Sequence, residues 1–265
     1  MALSGSALPL REPVQVMRID VITLFPAIFT GYLDQSLLAK ARKRGLVQIV
    51  LHDLRAWSPD KKHFKVDDRP YGGGPGMVIR VEPVVECVEA VQRMADVPGR
   101  LLVMSPTGRP LDQQLVRQLA ASPRLILLCG RYEGFDQRVY DLLHPEPISI
   151  GPYVLNGGEV AAMVIIDSVI RWIPGVLGNE ESCRSDSFSQ DPHFVKAAQY
   201  TRPPEYRGLK VPEVLLSGDH EQIRKWREED SRRRAELRRQ WLARHDTACG
   251  NQTEEGRAPP HPPES

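Results

Sequence analysis

Four cysteines stand in 265 residues, Cys87, Cys129, Cys183 and Cys249, and none belongs to a CxxC or Cys/His cluster. That spacing disfavours a zinc site and gives no disulfide framework. Isolated thiols fit a reducing cytosol. No apolar run approaches the roughly 20 residues that a bilayer-spanning helix needs. The opening stretch, MALSGSALPLREPVQV, lacks the charged-then-apolar order of a signal peptide. A cytoplasmic protein with no membrane attachment is therefore expected. Charge of one sign is missing too: 35 Lys and Arg face 34 Asp and Glu. This excludes a uniformly basic nucleic-acid binder, although a local basic face remains open, because steering depends on where charges sit. There is also no GxxxxGK[ST], and no GxGxxG follows a strand. ATP, GTP and a Rossmann dinucleotide are disfavoured. A ligand with an adenine, a ribose and no phosphates fits better.

What is present is an alternation. Hydrophobic residues make up 41% of the chain, enough for a core. Strand-like runs fall at Ile19–Phe25, Val47–His52, Arg100–Met104, Arg124–Cys129 and Ile148–Leu155. Helical patterns fall at Ala27–Arg44, Val84–Ala95, Asp112–Ala121, Asp136–Leu143 and Glu159–Trp172. Strands separated by helices predict an α/β domain with a mainly parallel sheet covered on both faces. Pro174–Gly208 breaks the pattern with polar residues, Gly, Pro and aromatics, as a functional loop or linker does. Val211–Trp241 then opens on a strand-like VLLSGD, followed by an Arg-rich helix capped by Ser217 or Asp219. The expected organisation is an extension over 1–16, the main domain over 17–175 and a linker over 176–211. A helical domain over 212–244 and a disordered tail over 245–265 complete it.

Four glycine-rich stretches stand out: YGGGPGM (Tyr71–Met77), SPTGR (Ser105–Arg109), CGRYEG (Cys129–Gly134) and SIGPYVLNGGE (Ser149–Glu159). The last three each follow a strand-like run, and ligands of open α/β sheets bind outside the carboxyl ends of strands. Each alone reads equally well as an ordinary turn; three at successive strand ends are a stronger signal. Their low polar content suits a ligand held by backbone amides and carbonyls. VDDRPYGGGPGM could be a metal or phosphate site or a solvated turn. Lys61, Lys62, His63 and Lys65 before it are interleaved with Trp57, Phe64 and Tyr71, a pattern that favours nucleic acid. Arg171 ends an apolar helix, where a cation can simply snorkel. Asp186, in SDSF, can be an Asx-turn or a cap. The Arg cluster from Arg224 to Arg239 is either a self-paired solvated helix or a surface for RNA phosphates.

The stretches VDDRPYGGGPGM, LLCGRYEGFDQRV, SIGPYVLNGGE, DSVIRWIPGVLGNE, SDSF and VLLSGDHEQIRKWR, in this order, resemble the bacterial tRNA (guanine-N(1))-methyltransferases, the TrmD family. The likeness runs from about Met17 to about Trp241. It implies a SPOUT-type α/β fold with a deep trefoil knot and a small helical C-terminal domain. It further implies a homodimer with active sites at the interface, and no role for DNA. The substrate implied is a tRNA with guanosine at position 37. The methyl donor implied is S-adenosylmethionine, and Mg²⁺ is an expected stimulant, with Glu133 and Asp186 as candidate ligands. The donor's pocket would be Ser105, Pro106 and Gly108 from one loop and Gly130, Arg131, Tyr132, Glu133 and Gly134 from the next. The third loop would add Ile150, Gly151, Pro152, Tyr153, Val154, Leu155, Gly157 and Gly158. Asp186 matches the family's proposed general base, and Arg171 the residue that stabilises the guanine oxygen. Asp67, Arg69, Tyr71, Gly74, Arg232 and Arg233 are the candidate RNA contacts. The sequence departs from many relatives in IGPYVLN, which lacks an acid after its Gly and a Ser before the Gly pair. Three rivals remain: a SPOUT enzyme for another RNA position, a non-catalytic RNA binder, and a nucleotide-binding regulatory domain.

Overall fold

The structure, a computed structural model, describes residues 16–178, 183, 185–189 and 191–250, with side chains to 244. The chain divides into two compact units, residues 1–180 and 181–265. The expected linker, 176–211, straddles that division. The expected N-terminal extension, apart from residue 16, lies outside the described residues, as does the tail from 251 onward.

The sheet of the first unit is laid down by apolar runs too short for helices. Its strands are β1 (Met17–Thr23), β2 (Val47–Asp53), β5 (Arg100–Pro110), β6 (Arg124–Leu128) and β7 (Glu146–Ser149). They form one five-stranded sheet in the order β2-β1-β6-β5-β7, with every pairing parallel. Strand β6, RLILL, is buried at every position, as a strand covered on both faces must be. Its side chains alternate between two cores. Leu125 and Leu127 join α2 (Ser36–Lys43), α4 (Gln113–Ala120) and α6 (Glu159–Ile170) on one face. Ile126 and Leu128 join α3 (Val81–Gln92) and α5 (Gln137–Leu143) on the other. Each fully buried Leu or Ile contributes about 1.5–3 kcal/mol over its exposed state.

Two further strands, β3 (Asp67–Asp68) and β4 (Val78–Ile79), pair antiparallel and bracket the YGGGPG loop.

Several expected elements end elsewhere. The run predicted as a helix over Ala27–Arg44 is a 3₁₀ turn (Pro26–Phe29), α1 (Thr30–Leu33) and α2. Ser36, at φ 50, interrupts it, and no Gly or Pro marks that break. The strand predicted over Ile148–Leu155 stops at Ser149. Pro152 lacks the N–H that a continuing ladder would need. Strand β5 instead runs past its expected end, with its register on β7 slipping between Met104 and Arg109. Ser105–Gly108 is therefore an excursion inside a strand.

Around Asp20, midway along β1, lies a buried ionic cluster. Asp20 accepts from Arg124 Nε at 2.9 Å, from His52 Nε2 at 2.8 Å and from Arg18 through both carboxylate oxygens. The Arg124 guanidinium also donates to the carbonyls of Val91, Gln92 and Val97, satisfying groups at and beyond the carboxyl end of α3.

In the second unit, Asp219 caps α7 (His220–Gly250) by accepting from the Glu221 and Gln222 amides. The helix thus passes the expected boundary at 244 and runs to Gly250, a residue common just past helix ends. VLLSGD is a 3₁₀ turn over Glu213–Leu215 rather than a strand. A short hairpin, β8 (Glu205–Tyr206) with β9 (Leu209–Lys210), precedes it. Asp230, 5% exposed, accepts from the Ala198 amide, and Ser231 donates to the Val195 carbonyl, which pins 195–198 to the helix.

Candidate functional site

The excursion of β5, the loop after β6 and the loop after β7 surround one cavity of about 380 Å³. Of the sixteen residues expected to hold a cofactor, all but Gly108 and Pro152 line it. Gly108 packs against β7 instead. A Cβ there would lie 2.5 Å from the Ile148 nitrogen, so its glycine serves strand packing. Pro152 is exposed. Sequence reasoning missed Met104, Phe135, Tyr140, Ile148, Ser149, Asn156 and Ala161, which complete the wall. Phe135, Ser149 and Asn156 stand inside stretches already singled out, whereas Met104, Tyr140, Ile148 and Ala161 lie outside them, on strands and helices with no motif to announce them.

The loops hold one another by backbone. Gly158 donates to the Gly130 carbonyl at 2.9 Å, and Arg131 bridges Gly157 antiparallel. The chain leaving the sheet edge at β7 therefore returns over the carboxyl ends of β5 and β6. Gly158 makes that approach possible: a Cβ would sit 2.9 Å from Cys129 Cα and 2.9 Å from Met104 Cβ. Tyr132 adopts φ 60 in the cavity wall, a strained conformation for a bulky residue, of the kind that clusters at functional sites.

The YGGGPGM loop docks beside the same wall. Glu133 donates its amide to Met77, Ile79 donates to Gly134, and Asp136 donates to Ile79. A Cβ on Gly76 would lie 2.4 Å from Glu133 Oε1. Tyr71, Arg69 and Gly74 are exposed on this loop, with Tyr71 fully so. Asp67 is half-buried at its base, in β3.

Beneath the cavity lies a polar cluster that joins residues of two separate motifs, Arg131 of CGRYEG and Glu159 of SIGPYVLNGGE, to Thr23 of β1. Glu159, 1% exposed, accepts from Thr23 Oγ1 at 2.8 Å. Arg131 Nε donates to Glu159 Oε1 at 3.2 Å and stands 3.0 Å from Oε2. Its guanidinium lies 4.7 Å from the centre of the Phe25 ring. The one available signal was a charged residue opening an otherwise apolar helix, GGEVAAMVII. The buried Cys129 thiol below is pushed up, chiefly by desolvation and secondarily by Glu159; it is an inert packing group.

Arg171 caps the carboxyl end of α6, half-buried. In the second unit Asp186 pairs with Lys196 at 3.1 Å, and the Lys196 amide donates to Ser187 Oγ. Among the α7 arginines, Arg233 pairs with Asp230, and Arg224 with Glu228 at 2.6 Å. Arg232 lies 4.0 Å from Glu228 with its side chain 78% exposed. The self-paired reading thus accounts for part of this helix. Among the described residues, no group of three or more His, Cys, Asp and Glu could hold a metal ion. None of the described helices is long and apolar enough to cross a membrane.

The family described as tRNA (Guanine-1)-methyltransferase TrmD matches residues 17–245. The chain belongs to the TrmD family. Its match spans both units and all the loops above. The tRNA (guanine-N(1)-)-methyltransferase of Rhodopirellula baltica is 60% identical over 238 residues, covering 89% of this chain and 98% of that protein. The protein of the same description from Geobacter sulfurreducens is 51% identical over 212 residues, covering 80% and 84%. That from Geobacillus kaustophilus is 50% identical over 224 residues, covering 84% and 90%. The TrmD family thus accounts for nearly the whole described chain.

Proposed function

We propose that this TrmD-family chain transfers a methyl group from S-adenosylmethionine to ring nitrogen 1 of guanosine 37 in tRNA. The observation that carries the reading is the convergence of three strand-end loops on one cavity walled largely by backbone. Its size falls in the range of small-ligand sites, about 300–1,000 Å³. The donor set fits a ligand without phosphates. Gly158 and Gly130 leave room that a Cβ would fill against Met104, Cys129 and Phe135. When bound there, S-adenosylmethionine supplies an electrophilic methyl group on a sulfonium.

The chain's own residues would do the rest. Nitrogen 1 of guanine bears a proton, so a base must remove it before the lone pair can attack. Asp186 is the proposed base. In the free protein its carboxylate holds Lys196, and it would exchange that partner for the guanine edge. Negative charge then grows on the 6-oxo oxygen, and Arg171 is the proposed group that stabilises it. The base must leave its stack to reach the pocket. The exposed Arg69, Tyr71 and Gly74, with Asp67 at the loop's base, would guide it in, while Arg232 and Arg233 would hold the RNA backbone.

The β7 connection that returns across β5 and β6 is the segment proposed to complete a trefoil knot of the SPOUT type. The α7 unit is proposed as the tRNA-holding domain. Val154 of the cavity wall, Val160 and Val164 of α6, and Ile28 of the 3₁₀ turn are exposed apolar residues. A homodimer that covers them is the proposed assembly. No group of three or more His, Cys, Asp and Glu marks a Mg²⁺ site among the described residues.

The test is a reaction of purified protein with methyl-labelled S-adenosylmethionine and two tRNA transcripts, one with guanosine and one with adenosine at position 37. Label at nitrogen 1 of guanosine 37, and none on the adenosine transcript, is expected. Label at another base, or none on either transcript, overturns the reading.

A further inference from the structure

The charged residues that line the cavity are Arg131 and Glu133, among the described residues. Glu133 is exposed, whereas the Arg131 side chain is only 20% exposed. A cationic guanidinium in the wall is a liability for a site that is to receive a sulfonium. Its presence has a constructional reason. Arg131 reaches the Asn156 carbonyl with one nitrogen at 3.3 Å and holds its Cζ over the Phe25 ring. It thereby fastens the loop after β6 to the loop before α6 and to the end of β1.

Glu159 sits behind this residue and does not line the cavity. Its carboxylate meets Arg131 at 3.0 Å and is fixed from the other side by Thr23. Thr23 is itself fixed, because its hydroxyl accepts from the Phe25 amide at 3.0 Å. Gly157 completes the arrangement. A Cβ there would lie 2.3 Å from Arg131 Nε and 2.5 Å from Glu159 Oε2. The absence of a side chain is what lets the two charges meet. Gly157 and Glu159 of the GGE sequence thus form one device with Arg131.

We infer that Glu159 is a positioning residue that neutralises Arg131 from behind, so that the guanidinium is balanced without drawing on the exposed Glu133 carboxylate of the wall and no unbalanced positive charge faces the sulfonium of the methyl donor. This rests on the reading that S-adenosylmethionine occupies the cavity. It goes beyond that reading by assigning the site's tolerance of a cation to a carboxylate the ligand does not touch. A merely structural role for Glu159 would weaken any ligand of the cavity alike. A neutralising role discriminates between two ligands that differ in charge at one atom. S-adenosylmethionine carries a positive sulfonium; S-adenosylhomocysteine, with the same adenosine and amino-acid ends, carries a neutral thioether.

The experiment is calorimetric titration of both ligands into the full-length protein and its variants. Glu159→Gln keeps an oxygen for Thr23 but removes the charge. It is expected to raise the ratio of the two dissociation constants, S-adenosylmethionine over S-adenosylhomocysteine, by about four- to sixteenfold. That is the effect of one unit charge acting over about 10 Å, the scale of a 380 Å³ cavity, at an effective dielectric of about 40 to 20. Arg131→Gln leaves the carboxylate unbalanced and should move the ratio the opposite way. Glu159→Gln combined with Arg131→Gln should return it to the wild-type value. If Glu159→Gln does not fold, Arg131→Gln and the double variant carry the test. Wild-type protein that binds both ligands, with a ratio unmoved in every folded variant, overturns the inference and leaves the cofactor reading standing. Wild-type protein that binds neither ligand overturns the cofactor reading itself.

Discussion

Replacing Arg124 by Met should unfold the first unit at a much lower temperature, and the loss should depend on pH. Arg124 is 1% exposed and Asp20 is 0% exposed. The substitution keeps the aliphatic stem and removes every donor. Asp20 loses one of its three partners, the Gln92 and Val97 carbonyls lose the Arg124 donor, and the Val91 carbonyl keeps only the Met94 amide. Removing one member of a buried ion pair costs about 3–5 kcal/mol, because the other charge stays buried. For a chain of this size each kcal/mol lowers the midpoint by about 2–4 °C, so a fall of about 6–20 °C is expected by differential scanning calorimetry. A fall under about 2 °C would refute the reasoning. Burial alone would raise the Asp20 carboxyl, but hydrogen bonds from His52, Arg18 and Arg124 hold it well below the usual carboxylate range. A depressed folded-state value stabilises above the unfolded value of about 3.9 and loses that contribution as pH falls through the folded value. The gap between wild type and Arg124→Met should therefore be full at neutral pH and narrow below about pH 4. A gap constant down to strongly acid pH would mean that Asp20 is not the partner that matters.

Gly158→Ala should cost about 1–3 kcal/mol, the penalty for forcing an atom into a packed region, because the clash is with the Cys129 backbone and Met104 Cβ. Calorimetry should show weakened S-adenosylmethionine binding, and unaltered binding would count against the close approach of these loops. Asp186→Ala should leave cofactor binding near normal while abolishing methyl transfer, and wild-type turnover on a guanosine-37 tRNA would remove it as the base. Arg171→Ala should lose activity more than melting temperature; equal losses would make it a packing residue. Arg232→Glu with Arg234→Glu, which spares the Arg233–Asp230 pair, should weaken tRNA binding and reduce its salt slope by about one to two. An unchanged slope would assign those side chains to solvent.

The parts of the fold legible in the sequence were those set by local pattern. The RLILL run of β6 is apolar at four successive positions, and that alone implies a strand with helices on both faces. Asp219 stands before a helical pattern and caps it. The three loops were legible because Gly and Pro punctuate them and each follows a strand. The break at Ser36 was not, since a non-glycine residue with positive φ leaves no compositional mark. Nor was the continuation of β5 through SPTGRP, because its pairing is set by β7, nearly forty residues on, and not by its own composition.

The cluster under the cavity shows most clearly where sequence reading stops. Thr23 and Glu159 are 136 residues apart. Thr23 reads as the end of a strand, and Glu159 as an acid in the first turn of a helix, where the dipole alone would account for it. Neither reading calls for burial. The two become one unit only because β1 and β6 are neighbours in the sheet, which brings the loops at their carboxyl ends side by side. A carboxylate in that position would be costly alone, and so would the Arg131 guanidinium. Together, with Thr23 donating to Oε1 and Phe25 beside the guanidinium, they form a compensated pair in which Oε2 is held by charge at 3.0 Å without a hydrogen bond, and whose geometry depends on Gly157 having no side chain. A turn-forming glycine and a helix-opening acid are ordinary signals when read singly. Their meaning comes from the residue across the sheet that joins them, and that residue lies in a different motif.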